Sequence, residues 1–79
     1  MKFLYFCTTG TSDPTRASVP FHLAVNGSVP VGQETAVVLG GDATELVFPD
    51  VADKVEGVGI PRMRELLAKL REHAVPVYV

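Results

Sequence analysis

Apolar residues fall along this chain in two kinds of run, short continuous ones and longer ones at helical spacing. Phe3-Leu4-Tyr5-Phe6-Cys7 is continuous and ends at the turn Thr8-Thr9-Gly10-Thr11-Ser12, which predicts a strand covered on both faces. Asp13-Pro14 predicts a helix start: aspartate accepts hydrogen bonds from free amides at the N-cap, and proline is tolerated at the first helical position. Ala17, Phe21, Ala24 and Ser28 then recur at helical spacing, a narrow stripe of small residues suited to a sheet. Pro20 predicts a kink in this helix, and Pro30 with Gly32 its end.

Residues 34–39 predict a second strand, because Ala36-Val37-Val38-Leu39 is too uniformly apolar for a sheet wetted on one face. Gly40-Gly41 turns the chain, and Asp42 with Glu45 stands at capping-box spacing before Leu46-Val47-Phe48, a short helix closed by Pro49. Residues 50–60 read as a loop holding one helical turn. Pro61 opens the clearest helix, in which Met63, Leu66, Leu67, Leu70 and Ala74 trace one face and Arg64, Lys69, Arg71 and Glu72 point outward. Pro76 leads into Val77-Tyr78-Val79, a third strand. The order βαβαβ, with crossovers long enough for parallel pairing, predicts half of a Rossmann-like sheet within an α/β three-layer sandwich. Residues 1–79 form one domain on this reading, incomplete at its carboxyl end.

Composition changes that picture at one point. A chain of 79 residues has a small core, yet 47% of its residues are hydrophobic and only 20% charged, more apolar surface than a solitary domain of this size easily hides. Such small domains are steadied by metal, disulfides or a partner subunit. Cys7 is the single cysteine, and His22 and His73 lie far apart without companion ligands, so self-association is the expected route. The net charge of −2 and the interleaving of Glu65 and Glu72 with Arg62, Arg64, Lys69 and Arg71 argue against nucleic acid or an anionic membrane as partner. No run approaches the roughly 20 apolar residues of a membrane helix, and residues 1–7 are too short for a signal peptide, so a cytoplasmic location is the expectation.

Candidate chemistry is sparse, and no residue is identifiable as catalytic. The turn before the first helix could present free amides to an anion, with Gly10, Thr11 and Ser12 as its backbone and Arg16 as a nearby cation. It is not a nucleotide fingerprint, and a single glycine in a strand-to-helix turn is common in folds that bind nothing, so an ordinary turn is the first reading of these residues and an anion-facing loop the second. Gly41, in the turn after the second strand, would join that site if the sheet order reverses between the first and third strands, so that both turns border one crevice. Cys7 ends its strand without a resolving cysteine or an adjacent histidine, which reads as a packing thiol. No cofactor and no metal is implied.

Taken together, several segments resemble the small DsrE-like proteins of bacterial and archaeal sulfur metabolism. They are Gly10-Thr11-Ser12-Asp13-Pro14-Thr15-Arg16-Ala17, Pro20-Phe21-His22-Leu23-Ala24, Val38-Leu39-Gly40-Gly41-Asp42-Ala43, Gly57-Val58-Gly59-Ile60-Pro61, Glu65-Leu66-Leu67-Ala68-Lys69-Leu70 and Val75-Pro76-Val77-Tyr78-Val79. The resemblance implies a Rossmann-like fold, assembly into trimers or hexamers, and sulfur relay on a persulfide-forming cysteine, with a sulfur-carrier protein as partner. That cysteine directly follows a strand like residues 77–79 and has no counterpart here; Cys7 does not match it. The expected site of relay is therefore just after Val79. A non-catalytic module binding a small anion or nucleotide, and a structural subunit of an oligomer, are the alternatives.

Overall fold

The computed structural model describes residues 2–79 as a mixed α/β fold on a three-stranded parallel sheet. Strand β1 (Lys2–Cys7) runs beside β2 (Glu34–Leu39), in register from Lys2 opposite Glu34 to Cys7 opposite Leu39. Strand β3 (Val77–Tyr78) flanks β2 on its other side, giving the order β1-β2-β3. Both crossovers thus step in the same direction, and connections of one hand put their helices on one face of the sheet. Cys7, Val37 and Leu39 pack on that face against Phe21, Leu46 and Leu66 in one core.

The opposite face corrects two expectations. Strand β1 alternates instead of being covered on both sides: Leu4 is 62% and Phe6 60% exposed, and Tyr78 on the same face is 56% exposed. Strand β2 buries Ala36 and half-buries Val38 there, but only because its neighbours flank it. Among the described residues no helix covers this face, so the third layer of a sandwich is not part of the observed architecture. A continuous apolar run reports that a strand avoids water; it does not report what excludes the water.

Helix α1 (Pro14–Leu23) starts as expected, with the Asp13 carboxylate accepting from the Arg16 amide at 3.1 Å, and it runs through Pro20. Past Leu23 the chain widens into a π-helical turn (Ala24–Ser28) and then tightens into a 3₁₀ turn (Val29–Val31) that ends on Gly32 at φ 76°. The single helix expected to run until Pro30 and Gly32 is therefore three kinds of helix in succession. Tyr5 explains part of this, because its hydroxyl meets the Ser28 hydroxyl at 2.6 Å and ties the π turn to β1.

After β2 the segment Gly41–Val47 is a 3₁₀ helix, and Pro49 opens helix α2 (Pro49–Ala52) instead of closing the preceding one. No side chain caps the 3₁₀ segment: Asp42 is exposed and Glu45 is engaged elsewhere, so the capping box is not formed. Helix α3 (Met63–Glu72) buries Met63, Leu66 and Leu70 and half-buries Leu67, with Arg64, Lys69, Arg71 and Glu72 exposed as expected. Ala74 does not extend the apolar face. It is exposed, sits at φ 53° and ends the helix.

Candidate functional site

Two strand-to-helix turns meet at the carboxyl ends of β1 and β2. They do so because the strands are neighbours, not because the sheet order reverses; the Gly40 amide donates to the Cys7 carbonyl at 2.9 Å. Gly10 is buried at the contact, where a β-carbon would come within 2.6 Å of the Asp42 carbonyl oxygen and 2.8 Å of the Glu45 carboxyl carbon. Only glycine permits so close an approach. Gly41, at φ 53°, makes the return turn in the left-handed region.

The Thr11 amide, the donor expected to face an anion, donates at 2.6 Å to the Glu45 carboxylate. That bond, with a smaller contribution from the Thr11 side chain, holds the Glu45 carboxyl below its ordinary value. The loop therefore already cradles an anionic group, and it belongs to the protein. An outside anion would have to displace it. Of the five expected residues, the fold brings Gly10, Thr11 and Gly41 into one corner, where only Gly10 is buried; Ser12 and Arg16 are exposed and make no contact with Glu45 or Gly41 among the hydrogen bonds and ion pairs of the described residues. The Arg16 guanidinium lies 3.9 Å from the Asp13 carboxylate, an exposed pairing of little energetic weight.

Cys7 is fully buried, with its Sγ 3.5 Å from the carbonyl oxygens of Thr9 and Ala17. Burial pushes the thiol above its ordinary value, the reverse of what a nucleophile needs. His22 is paired with Asn26, Nδ1 to Nδ2 at 3.0 Å, and no cluster of metal-ligating side chains occurs among the described residues.

A separate concavity lies elsewhere and was not legible as a site. It is a cleft of about 640 Å³ over the carboxyl ends of β2 and β3. One wall is the flank of α3 formed by Arg64, Leu67, Ala68 and Arg71; the other comes from Leu46, Pro49 and Asp53; Leu39, Val77 and Val79 contribute from the sheet. The chain matches no family model, no curated protein and no solved structure. The only sequence signal for the cleft was that Arg64, Ala68 and Arg71 share a helix flank beside the apolar face, a pattern also shown by any solvated flank.

β3 is two strands from β1, roughly 10 Å at about 4.8 Å per strand, so the cleft at the carboxyl end of β3 is separate from the turn that carries Thr11 and Ser12. No helix of the described residues is long and apolar enough to cross a membrane.

Proposed function

We propose that this chain is a DsrE-like subunit of a homo-oligomer that takes part in sulfur relay, with the acceptor thiol supplied next to the carboxyl end of β3 and not by Cys7. The observation that carries the structural part is the order β1-β2-β3 with all helices on one face, which matches half of a doubly wound sheet. The uncovered face and the free edge of β1 are surfaces that such a half-sheet leaves for further strands or a second subunit. The relay chemistry rests on the resemblance of the two glycine turns and the last helix to DsrE-like proteins. Burial of Cys7 supports placing the acceptor elsewhere.

At the proposed position a thiolate would have Arg64 and Arg71 on the adjacent helix flank, and cations favour the thiolate. The thiolate would attack the terminal sulfur of a polysulfide donor, forming the new S–S bond as the shortened donor leaves as a thiolate. The test is polysulfide labelling read by intact mass, on the 79-residue chain and on any longer native form with a cysteine after Val79. Label is expected on the longer form and not on Cys7. Equal labelling of both would move the chemistry to Cys7 and remove the reading.

A structural subunit without relay activity is the second reading, favoured by the same apolar face; it predicts oligomerisation with no labelling of either form.

A further inference from the structure

We propose that His22, Asn26 and Lys69 form a proton-sensitive clamp, which ties the π-helical turn to α3 while His22 is neutral and lets go when it is protonated. The three residues come from three elements, His22 from α1, Asn26 from the π turn and Lys69 from α3. Lys69 Nζ donates to Asn26 Oδ1 at 2.9 Å, and the other arm of the same amide, Nδ2, lies 3.0 Å from His22 Nδ1. Asn26 is thus the middle of a bridge to a residue 43 positions away. The π turn is held from two sides, by Tyr5 at Ser28 and by Lys69 at Asn26.

Donor and acceptor chemistry fixes the direction of both bonds. An ammonium group has donors and no acceptor, so it faces the oxygen of the Asn26 amide. The amide nitrogen, a donor only, is left facing the ring, and His22 Nδ1 is the acceptor. A ring that accepts at Nδ1 is neutral and carries its proton on Nε2. Protonation places an N–H on both ring nitrogens and sets donor against donor. Turning the amide over would offer its oxygen to the charged ring, but its nitrogen would then face the Lys69 ammonium. A charged ring also puts a second cation beside Lys69.

The other charges around His22 are engaged or placed elsewhere. Asp13 and Arg16 pair with each other at the start of α1, and Lys2 and Glu34 stand opposite one another on the bare face of the sheet. On α3, Arg62 pairs with Glu56, and Arg64 and Arg71 line the cleft. Glu65, Glu72 and His73 are exposed about one helical turn from Lys69, and none is bonded to Lys69 or His22 among the hydrogen bonds and ion pairs of the described residues. The clamp therefore stabilises the fold above the range in which histidine takes up its proton, and that contribution is lost as pH falls from about 8 to about 5.

The experiment uses the full chain. Ring-nitrogen NMR at about pH 8 should show His22 as the Nε2–H tautomer, and the Nδ1–H tautomer would overturn the clamp. Thermal unfolding is then followed down to about pH 5 in the parent and in His22→Gln, whose side-chain oxygen accepts from Asn26 at every pH. The parent's Tm should fall by about 2–4 °C more than that of His22→Gln, the scale of one exposed polar link in a domain of this size. In an Asn26→Ala or a Lys69→Met background the same His22→Gln exchange should leave the pH response unchanged, since the first removes the bridge and the second frees the amide to turn over. A difference that persists in Asn26→Ala would place its origin outside the clamp and overturn the proposal. His73→Gln should keep the parent's response; its loss there would assign the titration to His73 and overturn the proposal equally. The tautomer measurement needs no variant, so the outcome survives a substitution that fails to fold. None of these readouts involves a thiol, so sulfur relay stands or falls separately.

Discussion

Glu45 is the residue whose role depends most on where the chain brings it. Its carboxylate bridges two turns 34 positions apart by accepting from the Thr11 amide, and the hydrogen bond favours the charged form. A carboxyl held below its ordinary value in the folded state contributes stability that is complete above the unfolded value, near 4.5. That contribution is lost as pH falls through the lowered folded value. Glu45→Gln should therefore be less stable than the parent at neutral pH, and the difference should shrink as denaturation is repeated toward acid. A difference independent of pH would mean that the carboxylate charge plays no part. Cys7 gives a second residue-scale expectation: its buried, up-shifted thiol should be alkylated far more slowly in the native chain than in denaturant. Equal rates would show that the thiol is open to solvent.

At the level of elements, the end of α3 carries a mismatch between residue and conformation. The Val75 amide donates to the Leu70 carbonyl at 2.9 Å and the Ala74 amide to the Arg71 carbonyl at 3.2 Å, the two bonds of a Schellman cap. Such a cap places its turning residue in the left-handed region, and here that residue is Ala74 at φ 53°. The β-carbon costs about 1–2 kcal/mol in this conformation. Glycine avoids that cost but loses more entropy on folding, so Ala74→Gly should stabilise the fold by about 0.5–1 kcal/mol. Thermal unfolding measures it as a rise of a few degrees in Tm, since 1 kcal/mol corresponds to about 4–8 °C for a domain of this size. A lower Tm would place the residue outside the left-handed region. The same cap sets the direction in which the chain leaves α3 for β3, with the Pro76 carbonyl accepting from the Val37 amide at 2.9 Å.

For the whole molecule the uncovered sheet face dominates. Leu4 and Phe6 lie exposed beside the free edge of β1, with Tyr78 exposed on the same face across β2, and an open strand edge next to exposed apolar side chains invites a second chain. Light scattering at micromolar concentration is expected to report a homo-oligomer, a trimer or a multiple of it. Leu4→Glu should shift it toward monomer, because a carboxylate opposing its own copy in an apolar interface has no partner. A monodisperse monomer for the parent chain would count directly against association through this face.

The local grammar of the chain was legible without coordinates. The three strands, the Asp13 cap, the amphipathic face of α3 and the burial of Cys7 follow from composition and spacing, because each depends on groups within a few residues of one another. Other features came from contacts between distant segments. The π turn at Ala24–Ser28 accompanies a contact between Tyr5 and Ser28, and the failed capping box at Asp42 and Glu45 reflects a competing amide at Thr11. Strand order settled the rest. The apolar runs say that strands pair and stay dry, but they are equally satisfied by helices on both faces or on one, and by any placement of β3 beside the others. Only the tertiary structure put β2 in the middle, left Leu4 and Phe6 uncovered, and opened the cleft against Arg64 and Arg71, because those outcomes turn on which surfaces meet and not on what each surface is made of.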